Sequence, residues 1–172
     1  MLDATIERAA RGERDALSKL VADNYAPVFR FCARRVGPEL AKDAAQETFV
    51  TVQNKLRKFD ERSAFLTWVL GIAHNHCRNL ARKGRFEIGF TDIWSSSKEP
   101  VESGLIDREV LRSAILALSR EHREAVVMHE IEGLSYDEIA AILQVPSGTV
   151  KSRLHHAFLI LRKRLSPEQV PA

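Results

Sequence analysis

Apolar residues recur along this chain at helical spacing and never with the alternation of a strand. Thr5 to Arg11 reads as a short amphipathic helix closed by Gly12. Glu13 to Val36 predicts a longer one, with Leu17, Leu20, Val21, Val28, Phe29 and Cys32 on its apolar side and Gly37-Pro38 at its end. Glu39 to Lys58 is a third, with Phe49, Val52 and Leu56 spaced for burial. Ser63 to Lys83 is a fourth, carrying Phe65, Trp68, Val69, Ile72 and Ala73 as its stripe. Residues 87–106 break the pattern: Ser95-Ser96-Ser97, Pro100 and two glycines, with no sustained period, have the composition of a linker. Phe90, Ile93 and Trp94 are apolar enough for part of it to dock. Helical spacing resumes from Asp107 to Leu118. Ser119 caps a further helix that runs to about Glu132 and stops at Gly133. The fold class is all-α: two small helical domains, 1–86 and 107–172, joined by a flexible linker at 87–106.

The second domain ends in a helix-turn-helix pattern from Leu134 to Leu165. Ser135 with Glu138 three residues on makes a capping box. Ile139, Ala140, Ile142 and Leu143 give that helix its apolar side, and Gln144-Val145-Pro146 breaks it, since proline drives the preceding residue out of helical geometry. Ser147 is placed to cap the next helix, in which Val150, Leu154, Ala157 and Leu161 form one stripe. Lys151, Ser152 and His155 lie off the stripe in the N-terminal half, where a recognition helix meets base edges in the major groove. From Ile139 to Pro167 there is no acid, against five cations: Lys151, Arg153, Arg162, Lys163 and Arg164. An acid-free helix suits a surface that approaches phosphates.

Composition narrows the class. The 172 residues are 45% hydrophobic, enough for one medium or two small cores, and the net charge is +3. Charge placement matters more than this total. Cys32 and Cys77 make no disulfide framework, and free thiols in a reducing compartment are expected. Neither a signal peptide nor an apolar run of membrane-spanning length is visible. A cytoplasmic protein with no membrane insertion is expected. No Gly-rich phosphate loop, nucleophile motif or paired carboxylate points to an enzyme or a bound cofactor.

The fourth helix carries a second basic signature. Residues 62–86 contain no acid, and Arg62, Arg78, Arg82, Lys83 and Arg85 are joined by His74 and His76. Trp68, Asn75, Asn79 and Phe86 interleave with them, in the manner of surfaces that follow phosphates and touch exposed bases. Phe65 and Trp68 themselves fit a core position by their period. His74-Asn75-His76 spells a nuclease motif, but it lies mid-helix, and His74 with Cys77 lacks a second ligand pair at zinc-site spacing. On the third helix Lys42, Asp43, Gln46 and Glu47 share a polar face opposite Phe49 and Val52, which by itself is an ordinary solvated face. These residues alone leave two readings open. One is a factor with two separate nucleic-acid surfaces joined by a linker. The other is a conventional helix-turn-helix transcriptional regulator with an N-terminal interaction domain.

DAAQETFVTV (Asp43 to Val52), FDERSAFLTWVLGIAHN (Phe59 to Asn75) and LSYDEIAAILQVPSGTVKSRLHHA (Leu134 to Ala157) occur in the order and spacing of the extracytoplasmic-function sigma factors, the smallest of the sigma-70 type. The chain resembles that family from about Ala4 to Leu165. The resemblance implies a transcription initiation factor that binds core RNA polymerase, recognises −35 and −10 promoter elements and helps open the −10 region. Asp43, Gln46 and Glu47 would meet the clamp helices of polymerase. The loop Phe59, Asp60, Arg62, Ser63 and Ala64 would hold a base flipped from the −10 element, and Asn75, Arg78 and Arg82 would line the melted strand. Lys151, Ser152, His155 and His156 would read the −35 element, with Ser147, Gly148, Thr149 and Arg153 on its phosphates. An anti-sigma factor would be the regulating partner.

Several positions depart from the family pattern. Ala44-Ala45 stands where Leu-Val is usual, which implies a less extensive polymerase contact. His74 and His156 stand where arginine is frequent. A neutral histidine brings no charge to a phosphate, so weaker and more pH-sensitive −35 binding is expected, with His156→Arg raising affinity and steepening its salt dependence.

Overall fold

The computed structural model describes residues 4–84 and 108–166. Among these every regular element is helical, and the chain separates into two compact units. The proposed linker 87–106, with Phe90, Ile93 and Trp94, lies outside the described residues, as do Arg85, Phe86 and Asp107.

The first unit holds α1 (Ala4–Ala10), α2 (Arg14–Lys55), a 3₁₀ turn (Leu56–Lys58) and α3 (Phe65–Gly84). The second and third predicted helices are two arms of α2. Gly37 interrupts it at φ 79°, ψ 162°, a geometry that glycine adopts without a Cβ clash. Pro38 then restarts the helix, where a missing N–H costs nothing. The arms and α3 bury one core: Val28, Phe31 and Cys32 from the first arm, Ala44, Ala45, Phe49 and Val52 from the second, Val69, Ala73 and Cys77 from α3. Of the stripe predicted on the first arm, Leu20, Val28 and Cys32 are buried, while Leu17, Val21 and Phe29 are half-buried. Arg57 Nε donates to the Ala10 carbonyl at 3.0 Å and so ties the 3₁₀ turn to the carbonyl end of α1.

Two buried polar side chains of this unit donate one turn back along their own helix. Thr48 Oγ1 donates to the Ala44 carbonyl at 2.7 Å. Arg35 is 2% exposed; its Nη1 donates to the Phe31 carbonyl at 2.9 Å, and its guanidinium carbon lies 3.3 Å from the centroid of the Phe31 ring. A planar cation on an aromatic face keeps part of its solvation inside the core.

The second unit holds α4 (Arg108–Leu116), α5 (Arg120–Val126), a π turn (Val127–Ile131), α6 (Tyr136–Leu143) as far as Ala140, and α7 (Ser147–Leu165). Ser119 caps α5 as expected, accepting from the His122 N–H. Arg123 Nη2 donates to the carbonyls of Leu116 at 2.6 Å and Leu118 at 2.9 Å, which closes the end of α4 onto α5. The helix predicted to reach Glu132 widens after Val126, where the Glu132 N–H bonds back to the Val127 carbonyl at 3.1 Å. Gly133 ends it at φ 69°.

The helix-turn-helix forms as the pattern predicts, with one correction. The capping box of α6 is complete: Glu138 N–H donates to Ser135 Oγ at 3.3 Å, and Ser135 N–H to Glu138 Oε2 at 2.9 Å. Gln144 takes the left-handed conformation at φ 56°, ψ 46°, and Val145 N–H reaches the Ala140 carbonyl at 3.1 Å. Ser147, expected to cap α7, is instead its first residue; Pro146 occupies the cap, with no side-chain hydrogen bond. The Pro146 carbonyl takes the N–H groups of Thr149 and Val150, and its extended backbone at ψ 146° makes the serine hydroxyl unnecessary there. Val150, Leu154, Ala157 and Leu161 are all buried, so the predicted stripe is the inner side of α7.

Candidate functional site

Three exposed strips stand out, each opposite a buried stripe on its own helix. The first is on the second arm of α2. Ala44, Ala45, Thr48, Phe49 and Val52 face inward, which leaves Asp43, Gln46 and Glu47 exposed together. Val50 continues the strip at 53% exposure. An apolar side chain among acids and amides is the composition of a protein-docking face with an apolar centre and a polar rim. Val50 was missed in the sequence, although its spacing from Asp43 and Glu47 places it on their face. Ala44 and Ala45 are wholly buried, so their small size bears on packing inside the unit. The expectation that they thin a surface contact is corrected.

His76 on α3 approaches the flank of this strip. Its Nε2 lies 2.9 Å from Thr51 Oγ1. Burial holds its pKa below the usual 6.5, partly offset by the Glu47 carboxylate, which raises it, and reinforced by Lys55, which lowers it. An unfolded chain therefore takes up this proton before the folded one does. The first unit loses stability as pH falls below 6.5, because protonation favours the unfolded chain. His76→Gln, which retains a hydrogen-bonding partner for Thr51, is expected to flatten the acid limb of a melting-temperature profile. Profiles of equal steepness in both proteins would remove His76 from the titration.

The second strip comprises the loop after the 3₁₀ turn and the outer side of α3. Asp60, Arg62 and Ala64 are exposed and Ser63 is half-buried. Phe59 differs from its neighbours: it is 9% exposed and packs on Phe65, centroids 5.5 Å apart at 83°, and on Trp68 at 5.2 Å. Its ring supports the loop from beneath and is not offered at the surface, because the T-shaped and tilted contacts use its faces and edge. Phe65 and Trp68 are half-buried members of the same cluster, so the core position expected of them is only partly attained. Asp60 Oδ2 holds Arg62 Nε at 2.6 Å, and Glu61 has a positive φ of 58°. Along α3, Asn75, Arg78, Asn79 and Arg82 are exposed on one side, opposite Leu70, Ala73, Cys77 and Ala81.

His74 does not belong to that basic surface. It is 2% exposed, since it falls in phase with Leu70, Cys77 and Ala81 at spacings of four, three and four. That phase was present in the sequence. Expectations that His74 supplies surface charge are corrected accordingly. Among the described residues no group of three His, Cys, Asp or Glu side chains is placed to hold a metal ion.

The third strip is on α7. Gly148, Lys151, Ser152 and His155 are exposed along one side, while Ser147 and Thr149 are half-buried at its start. Arg153 is turned away: its Nη2 meets Glu121 Oε1 of α5 at 3.4 Å, with the arginine side chain 19% exposed. His156 is exposed and its ring stacks on His122 of α5, centroids 6.3 Å apart and 17° between planes. His155 meets His156 edge-on at 5.7 Å. His122 gave no functional signal in the sequence, because it is brought beside α7 only by the packing of α5 on α7.

No helix among the described residues is long and apolar enough to cross a membrane. Two family models match the chain: Sigma-70 region 2 over residues 20–87 and Sigma-70 region 4 over residues 108–161. The ECF RNA polymerase sigma-E factor of Escherichia coli (strain K12) is 32% identical over 178 aligned positions, which cover 94% of this chain and 93% of that protein. RNA polymerase sigma factor YlaC of Bacillus subtilis (strain 168) is 32% identical over 162 positions, covering 89% and 94%. The fold is similar to that of CnrH, solved in complex with the cytosolic domain of CnrY, with a TM-score of 0.66, 24% identity and 94% of each chain covered. It is similar also to the sigma factor RpoE of Bartonella quintana in complex with the anti-sigma factor NepR, with a TM-score of 0.61, 24% identity and coverage of 88% and 97%.

Proposed function

The chain belongs to the extracytoplasmic-function (ECF) sigma factors of the sigma-70 family, and we propose that its three exposed strips divide the work of initiation among them. It is an alternative sigma factor that serves promoter recognition and transcription initiation. The α2 strip, Asp43, Gln46 and Glu47 with Val50 at its centre, docks on core RNA polymerase. The loop Asp60 to Ala64, supported by Phe59, together with Asn75, Arg78 and Arg82, binds the −10 element. Its exposed cations follow the backbone while the amides reach bases. Lys151, Ser152, His155 and His156 read the −35 element, with Ser147, Gly148 and Thr149 against phosphates at the start of α7. Arg153 reaches a phosphate only by leaving Glu121; in the free chain it joins α5 to α7.

The observation that carries this reading is the α7 strip: four small or polar residues exposed side by side, on a helix without a single acid, after a capped helix and a tight turn. The polymerase supplies the chemistry of RNA synthesis; this chain positions and opens the promoter and works in the cytoplasm. Its regulator is a protein inhibitor of the anti-sigma kind, of which the RpoE–NepR complex is an example. That inhibitor would cover the strip around Val50, since an apolar centre with a polar rim is where binding energy concentrates.

The test is transcription by core RNA polymerase on a pool of genomic fragments, with and without the full chain. Start sites that depend on the chain and share two spaced elements are expected, together with weak duplex binding by the free chain. Tight sequence-specific binding by the free chain, with no effect of core, would favour the conventional helix-turn-helix regulator.

A further inference from the structure

His156 has one ring nitrogen committed and one at liberty. Its Nδ1 lies 2.8 Å from the carbonyl oxygen of Ser152, one turn back along α7. A carbonyl oxygen only accepts, so Nδ1 carries the hydrogen and the neutral ring is fixed as its Nδ1–H tautomer. Ser152 Oγ, 3.4 Å from the same nitrogen, is a longer second partner. The ring is held on two further sides, face-on by His122 and edge-on by His155. With Nδ1 turned to the helix backbone, Nε2 sits on the far edge of an exposed ring, with a lone pair and no hydrogen.

On α7 that lone pair has only His155 and the hydroxyls of Ser147, Thr149 and Ser152 as other side-chain acceptors. Lys151 and Arg153 are donors only, and the helix has no carboxylate. A carboxylate would also accept from a base, but its charge would oppose the phosphates alongside. A neutral imidazole nitrogen accepts without that repulsion.

We propose that His156 is a specificity-determining residue of the −35 interface. Its Nε2 accepts a hydrogen bond from an exocyclic amino group in the major groove, adenine N6 or cytosine N4. This rests on the assignment of α7 to the −35 element. Guanine O6 and N7 and thymine O4 are acceptors, so they leave Nε2 facing another lone pair. An arginine at this place, a donor only, selects guanine. His122 is a positioning residue: by stacking, it keeps Nε2 outward.

The experiment uses holoenzyme assembled from core polymerase and the full chain, with promoters randomised across the −35 element and the bound fraction sequenced. For the unmodified chain, one position is expected to favour adenine or cytosine on the contacted strand by about fivefold or more. His156→Ala levels that position alone, and His156→Arg moves it to guanine. His122→Ala weakens the preference, and His122→Phe, which can still stack, restores it. Nitrogen-15 spectra of the imidazoles of the full chain read the tautomer directly; an Nε2–H ring at His156 overturns the proposal. So does a −35 preference that His156→Ala and His156→Arg both leave unchanged. Enrichment of −10 sequences with no −35 preference at all overturns the assignment of α7 as well, and is distinct from both.

Discussion

Asp43→Arg combined with Gln46→Ala is expected to abolish capture of core RNA polymerase by this protein. Both side chains are exposed on α2, one turn apart, with Ala44 and Ala45 buried behind them. Neither contributes to the core, so the double variant should fold and melt as the parent does. The partner surface must offer donors and positive charge to an acid–amide strip. Reversing Asp43 then sets like charges against each other where water has been excluded. Disrupting a desolvated charge pair costs about 2–5 kcal/mol, which corresponds to roughly thirtyfold to several-thousandfold in affinity. A pull-down quantified against a dilution series reads this range. Retention within about twofold, with unchanged melting, would remove the strip from the polymerase interface. Val50→Asp is the companion variant, since it tests the apolar centre apart from the charge.

The second large effect belongs to Leu154→Ala. Leu154 is 1% exposed on the inner side of α7, between Val150 and Ala157, directly behind the residues assigned to the −35 element. Removing its branched end deletes buried apolar contact and leaves a cavity, at about 2–5 kcal/mol. A unit of roughly sixty residues has only about 3–9 kcal/mol to lose. The recognition helix should therefore be lost first, seen as fast amide exchange across α7 and a fall of about 10 °C or more in the melting of the second unit. Core polymerase should still be captured through α2, while promoters that depend on a −35 element fall silent. Unchanged exchange across α7 would mean that α5 and α4 hold it without this contact.

Much of this was legible in the chain, for physical reasons that can be named. The stripe Val150, Leu154, Ala157, Leu161 and the capping box at Ser135 are local signals, set by a helical period and by one side chain reaching one N–H. They appear in the structure where the pattern put them. Gly37-Pro38 was also local, and it breaks α2 as glycine and proline must. What escaped was polar burial and contact between distant segments. Arg35 and His74 look like surface residues by type, yet each falls in phase with buried neighbours, Val28 and Phe31 for one, Leu70 and Cys77 for the other. Phase along the helix, more than side-chain type, decides which side of it is buried. The pairs Glu121–Arg153 and His122–His156 join residues more than thirty apart, and nothing in a single sequence announces them. Ser147 was misplaced by one residue because a carbonyl, which every residue has, did the capping. Of the candidate residues, Asp43, Gln46 and Glu47 on α2 and Lys151, Ser152, His155 and His156 on α7 are exposed, while Arg153 turns to Glu121 and Phe59 withdraws into the cluster beneath its loop.

The π turn at Val127–Ile131 has a consequence for heredity. A π turn contains one residue more than an α-helix needs for the same path. Loss of one codon there would remove the surplus residue, so the helix would close up as a regular α-helix while Gly133 and α6 beyond it kept their bearing. The change would fall on the turn's own side chains. Val127 and Met128 are wholly buried, and His129 Nδ1 donates to the Leu134 carbonyl at 2.9 Å; a deletion would reassign which side chain fills each of these places. The spare residue thus lets the length of this segment change by one without redirecting the chain after it, and the penalty is confined to local packing.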